Sequence, residues 1–398
     1  MSADLAGGSG PPATRRPSRL PTLTGMRFVA SLMVFVCHAF TYGVFTDKEL
    51  EQNLITYVAK LGFVGVGFFF VLSGFVLTWS ARDSGRPLTF WRRRAAKIFP
   101  NHLVTWAIGL LLMVWLGGYA ATVSNTVPSF FLVQAWFPSE EIFFGTNGPS
   151  WSLAAELLFY LSFPWLVRWI RAIPARRLWL CAGLLVAATV VVALASQLLP
   201  TDPDMPYYPI SWYQYWFVYC LPATRMLEFA LGIVMARIVM TGRWIPLGLG
   251  PALLTLIPGY ALTVWLPDAY GIVAPTVLPL ALIVAAGAAA DAEGRPSIFR
   301  NRTAVFFGEI SFAFYMVHML VMWYGPMGRV PGRTWDTWPA IGMIVLDFAL
   351  TVLAAWILYR LVEVPAVRRF SNARTKKGLP PPPAAPADET PLTAPVGR

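Results

Sequence analysis

The chain has 398 residues, 57% of them hydrophobic and only 13% charged, with a formal net charge of +11. That charged share is about half of what soluble domains carry, and apolar runs long enough to cross a bilayer recur along the chain. A soluble globular fold is therefore excluded, and the pattern predicts an all-α polytopic membrane protein in which one membrane domain, residues 22–370, fills nearly the whole sequence.

In chain order, residues 1–21 are polar and rich in Pro, Gly and Arg. No apolar core precedes a small-residue cleavage site there, so a disordered cytoplasmic N-terminal segment is expected and the first span doubles as the targeting signal. Ten spans follow, at 22–45, 57–80, 102–122, 150–171, 178–199, 220–240, 247–266, 271–290, 303–324 and 340–361. The apolar stretch "VPSFFLVQAWF" (127–137) is too short to cross and reads as interfacial or re-entrant. Residues 371–398, with four consecutive prolines, read as a disordered cytoplasmic tail.

Charge placement sets the direction. With the N-terminus inside, the inner segments hold 26 of the 31 Lys and Arg residues, while the outer loops carry "TDKELEQN", "SEE" and "TDPD". This is the positive-inside pattern with both termini cytoplasmic. The basic charge is thus topological, and nucleic acid is excluded as a partner; membrane lipids are the expected surroundings. The three cysteines, Cys37, Cys181 and Cys220, lie in or beside apolar segments and match no metal-ligand spacing, so neither a metal site nor a disulfide is expected.

Ionisable residues inside spans are costly and mark function. In "VFVCHAF" (34–40), His38 lies roughly 21 Å above the inner end of span 1 at about 1.5 Å per residue. His318 lies roughly 22 Å into span 9 by the same rise. Span 4 runs the opposite way and places Glu156 roughly 9 Å below its outer end. Glu228 and Asp347 fall near that level. Arg27 and His38, three helical turns apart, share one face; Ser311, Tyr315 and His318 share another, and Ser152, Glu156 and Tyr160 a third. Each residue alone reads equally well as a satisfied polar contact between helices. Several at one depth favour a polar cavity. In "FWRRRAAKIFP" (90–100), Arg93, Arg94 and Lys97 precede Pro100. Such a cluster can bind phosphate, although from charge alone it reads first as a topology anchor in contact with anionic lipid.

Together these motifs resemble the acyltransferase-3 family of bacterial integral-membrane O-acyltransferases, in the family's order and across residues 19–370. "RLPTLTGMRFVASLMVFVCH" is similar to its first span. "GFVGVGFFFVLSGFVL" (62–77) is similar to its Gly/Phe-rich second span. "RRRAAKIFP" is similar to its Arg-x-x-Arg-x-x-Pro element, with Lys97 in place of the second arginine. "WSLAAELLFY" (151–160) is similar to its Trp-Ser-Leu-x-x-Glu motif, and "FGEISFAFYMVH" (307–318) and "YRLVEVPAVR" (359–368) to its closing elements. No esterase-like extracellular domain follows the membrane domain, so the product is expected from this domain alone.

The resemblance implies a multi-pass enzyme of the bacterial cell membrane that moves an acyl group, acetyl by default, from acyl-CoA to a hydroxyl. It implies no permanently bound cofactor; acyl-CoA is a co-substrate. The acceptor would be a glycan, a lipid-linked sugar or a macrolide-like metabolite. The arginine-rich composition resembles that of stand-alone actinobacterial members. Arg93, Arg94 and Lys97 would hold the anionic end of coenzyme A. His38, kept neutral by its apolar surroundings, would be the general base, with Glu156 fixing its tautomer. Arg27, Tyr315 or His318 would stabilise charge on the carbonyl oxygen, and Trp151 and Ser152 would contact substrate. The main rival is a proton-coupled transporter or flippase with His38, Glu156 and His318 as a relay; a non-catalytic membrane scaffold is the third reading. Transporters of that kind commonly show inverted repeats, and none is found in the sequence.

Overall fold

The computed structural model describes residue 17 and residues 19–81, 86–117, 120–328 and 332–371. The two segments expected to be disordered lie almost wholly outside that set. Among the described residues, nine helices are long and apolar enough to cross a membrane. They are α1 (Pro21–Thr41), α2 (Lys48–Ser80), α3 (Pro87–Leu116), α4 (Gly148–Ala172), α5 (Ala175–Ser196), α6 (Trp212–Met240), α8 (Asp268–Ala292), α9 (Arg302–Tyr324) and α10 (Thr337–Phe370). Between α6 and α8 lies α7 (Leu249–Trp265), a shorter apolar helix at the seventh expected span.

Glycine placement explains the centre of the bundle. Lipid tails give helices no hydrophobic reason to associate, so close backbone approach must supply the attraction. α2 and α6 meet through reciprocal glycines: Gly74 packs on the Phe229 carbonyl of α6, and Gly232 packs on the Val71 carbonyl of α2. Around this seam the rings of Phe70, Phe75, Phe159 and Phe229 are fully buried. α1 packs between α2 and α9, and α9 continues to α10. α5 and α10 sit at the periphery with most of their apolar surface turned outward.

One expectation is corrected. α3 does not begin at residue 102, after Pro100; it begins at Pro87 and runs straight past Pro100. A proline inside a helix forfeits one backbone hydrogen bond, which a membrane bundle tolerates. The basic cluster, expected at the cytoplasmic start of this span with Arg94 and Lys97 on one face, lies within the helix. The 127–137 segment, expected to be too short to cross, is not among the spanning helices. A short helix, Val123–Phe130, is closed by a capping box between Thr122 and Asn125. The chain then reverses at Leu132, whose φ of 56° is left-handed. Trp216 Nε1 donates to the Ala135 carbonyl at 3.0 Å, and Gln134 Nε2 donates to Ser150 Oγ at 2.9 Å. Residues 122–150 thereby form a roof over one end of the bundle, opposite the arginine-rich end.

Candidate active site

Two cavities occupy the bundle. The first, about 150 Å³, opens among α1, α2, α3, α4 and α9 and is lined by Arg27, Arg94, Lys97 and Glu156. Three cations thus face one carboxylate. The i, i+3 spacing of Arg94 and Lys97 on α3 brings both to this face, while Arg93 is exposed, turned away from it. Glu156 accepts a hydrogen bond from Tyr160 Oη at 3.0 Å, and the Arg94 guanidinium lies 6.0 Å from the Tyr160 ring centre. Just beyond the lining, buried Glu363 of α10 accepts from Asn101 Nδ2 at 2.7 Å, one helical turn past Lys97. A buried cationic cluster needs such counter-charge to be tolerated. Glu363 lies within the "YRLVEVPAVR" element, yet sequence reasoning gave it no role.

The second cavity, about 400 Å³, lies under the roof and is walled chiefly by aromatic rings, among them Phe143, Trp151, Tyr208, Trp212, Tyr219 and Trp323. A π-helical turn at Trp216–Cys220 in α6 helps present Tyr215 and Tyr219 to it; such turns re-aim side chains at functional sites. His38 lines this cavity.

The two imidazoles placed at equal depth by helix arithmetic are in contact. His38 Nδ1 lies 2.9 Å from His318 Nε2, and His318 Nδ1 lies 2.6 Å from the Tyr315 carbonyl oxygen. A carbonyl can only accept, so His318 Nδ1 carries the proton. In the neutral ring Nε2 is then an acceptor, and His38 Nδ1 must be the donor to it. His38 Nε2 is left as a lone pair: the chain of bonds fixes one tautomer and leaves one nitrogen able to take a proton. His318 is fully buried, with the ring of Phe314 parallel to its own at 6.4 Å.

Tyr315 and Val66 line both cavities, so they form the wall between them. Tyr315 Oη lies 2.9 Å from Ser152 Oγ and 3.3 Å from the Pro149 carbonyl oxygen, and Ser152 Oγ lies 3.0 Å from that same carbonyl. This cluster pins the tip of α4 against α9 at the boundary.

The structure brings His38, His318, Tyr315 and Trp151 together around the aromatic cavity, and Arg27, Arg94, Lys97, Ser152 and Glu156 around the basic one. It does not give His38 the expected carboxylate partner. Glu156 lines the other cavity, and the atom beside His38 Nδ1 belongs to His318. Arg27 shares a face with His38 but lies about 16 Å below it along α1 at about 1.5 Å per residue, so it serves the basic cavity. Glu228 is engaged with Arg225, at 2.9 Å, against the α2 backbone at Gly67. Asp347 is buried in α10 and lines neither cavity.

The sequence matches the family described as acyltransferase domain across residues 20–360. It is 41% identical to the acyltransferase MdmB of Streptomyces mycarofaciens over 92% of this chain and 96% of that protein. It is 27% identical to the exopolysaccharide production protein ExoZ of Rhizobium meliloti over 80% of this chain and 94% of that one. Over 49% of this chain and 32% of the relative, it is 29% identical to the peptidoglycan O-acetyltransferase OatA of Listeria monocytogenes. No solved structure matches it. The family match spans nearly all of the membrane domain, and the chain belongs to the acyltransferase-3 family of membrane O-acyltransferases.

Proposed function

We propose that this enzyme takes an acyl group, acetyl by default, from acyl-CoA on the cytoplasmic side of a bacterial cell membrane and transfers it to a hydroxyl of a sugar, glycan or secondary metabolite held in the aromatic cavity. Arg27, Arg94 and Lys97 bind the anionic donor at the cytoplasmic end, and its slender thioester arm reaches toward the wall at Tyr315. His38 Nε2 removes the acceptor's hydroxyl proton as the oxygen attacks the thioester carbonyl. His318 accepts from His38 Nδ1–H throughout and so stabilises the transient imidazolium, the role an aspartate fills in a triad. Tyr315 turns its single O–H from the Pro149 carbonyl, which keeps the Ser152 hydroxyl as donor, to the developing oxyanion. The tetrahedral intermediate collapses with cleavage of the C–S bond, and the imidazolium returns its proton to the departing thiolate.

The single observation that supports this reading most is the free His38 Nε2, fixed in its tautomer by the Tyr315 carbonyl and facing a cavity one side chain away from a cationic one. Purified protein incubated with labelled acetyl-CoA and candidate acceptors should release CoA only when a competent acceptor is present. His38→Ala and His38→Gln should both insert and fold, and both should lower turnover by about 10²–10⁴-fold. Near-normal turnover in a well-folded His38→Gln enzyme removes His38 from the chemistry. Proton-coupled uptake into vesicles without CoA release replaces the reading with transport.

A further inference from the structure

From the charge of the two cavities we infer that the acceptor carries no anionic group: the aromatic cavity is built for a neutral or cationic ring-bearing polyol and against phosphate, carboxylate or sulfate. This rests on the reading that the acceptor occupies the aromatic cavity.

The contrast between the two linings carries the inference. The basic cavity holds three cations and one carboxylate. Among the described residues lining the aromatic cavity there is no Lys or Arg, and Glu140 is the one formal charge. An anion needs a cation or several oriented donors when it leaves water, and the described lining offers phenol and indole donors but neither a guanidinium nor an ammonium. Aromatic faces carry the negative side of the ring quadrupole, which attracts cations and repels anions. Such faces suit the flat apolar sides of a sugar or lactone ring, whose hydroxyls the Tyr208 and Tyr219 phenols can meet. Once the polyanionic donor is bound next door, the potential on the acceptor side becomes more negative still, because a low-dielectric wall screens poorly. Donor and acceptor are therefore sorted by charge: the cavity that must hold phosphates attracts them, and the cavity that must hold the nucleophile turns them away. That sorting also keeps a second donor molecule from blocking the acceptor site.

The potential can be read directly, without knowing the acceptor. Thr41 lines the aromatic cavity one turn from His38 and is partly exposed. In a chain carrying Cys37→Ala, Cys181→Ala and Cys220→Ala, Thr41→Cys is placed in lipid nanodiscs. It is then treated with a small neutral thiosulfonate, a trimethylammonium thiosulfonate or a sulfonate-bearing thiosulfonate of similar size. Each rate is normalised to that of free cysteine. The cationic reagent should react at least about tenfold faster than the anionic one, the lower end of what a single-signed cleft achieves, and Glu140→Gln should reduce that ratio. Complete exclusion of the anionic reagent while the neutral one reacts also supports the inference. A ratio below about tenfold overturns it, as does reaction of none of the three, which means the cavity is closed to ligands. If Thr41→Cys fails to fold, Met319→Cys reads the same space. Acceptor-dependent CoA release, measured separately on the unaltered enzyme, tells failure of the charge argument from failure of the acyltransfer reading itself.

Discussion

Replacing His318 by leucine tests the imidazole chain where it is most specific. The change removes the acceptor of His38 Nδ1–H, at 2.9 Å, and with it the link to the Tyr315 carbonyl. In the resting enzyme His38 loses a neutral hydrogen bond worth about 1 kcal/mol; in the transition state it loses one made by an ionised group, worth about 1.5–3 kcal/mol, and the buried imidazolium is left without a partner. The loss that counts is the difference, about 0.5–2 kcal/mol of barrier, roughly 2- to 30-fold in turnover. It should be smaller than the loss on removing the base itself. The two histidines act as one unit, so His38→Ala combined with His318→Leu should be no slower than His38→Ala alone. The assay is single-turnover CoA release at saturating donor and acceptor, with thermal unfolding of each variant as the check on folding. Two results refute the reasoning: full activity in His318→Leu, or losses that simply multiply in the double variant. Either would mean that His318 does not act through His38.

Three further outcomes follow from the geometry. Neutralising Arg94 and Lys97 together should raise the KM for acyl-CoA at least about tenfold with little change for the acceptor, because phosphate contacts act in binding; Arg93→Gln should leave donor dependence within about twofold of normal, since that side chain points away from the cavity. Gly74→Ala and Gly232→Ala should each cost about 1–3 kcal/mol of stability by forcing α2 and α6 apart, seen as a lower unfolding temperature in detergent; unchanged stability would mean that the reciprocal packing on Phe229 and Val71 carbonyls is not tight. On whole cells, Asp47→Cys and Asp202→Cys should react with an impermeant thiol reagent and Arg176→Cys should be protected; the reverse pattern would invert the donor and acceptor sides.

The histidine pair was legible because a helix converts sequence into depth at a fixed rise. His38 and His318 enter from the same end, both counted from clear helix starts, and the two rings meet. The same arithmetic failed for Glu156, and the reason is physical. Its depth was counted from residue 150 as though that residue stood at the membrane edge, whereas Gly148, Pro149 and Ser150 are already buried beneath the roof. Glu156 consequently sits deeper, level with the arginines. Pro100 misled over the start of span 3, set at residue 102, but the i, i+3 spacing of Arg94 and Lys97 was legible as one helical face. The aromatic cavity was not legible at all. Its walls come from α1, α2, α4, α6, α9, the roof and the loop at 205–208, and no local pattern announces that Tyr208, Trp323 and Phe143 share one space.

On the proposed mechanism, separating the cations from His38 has an energetic reason. Two like charges about 4 Å apart repel by about 4 kcal/mol at an effective dielectric of about 20, while at about 16 Å the figure is about 1 kcal/mol. Had Arg27 stood one turn from His38, about 5.4 Å along the helix, rather than three, forming the imidazolium would have cost about 2 kcal/mol more, roughly thirtyfold in rate. An uncharged partner is the corresponding choice on the other side. A carboxylate beside His38 would stabilise the imidazolium more strongly, but in the resting enzyme as well as in the transition state. His318 supplies an acceptor without a fixed charge, so the ring stays neutral until a hydroxyl proton arrives. The wall at Val66 and Tyr315 then has a definite task. On the proposed mechanism it would keep the phosphate-binding charges out of the acceptor's cavity, with a phenol held by Ser152 and the Pro149 carbonyl at the boundary of the two cavities.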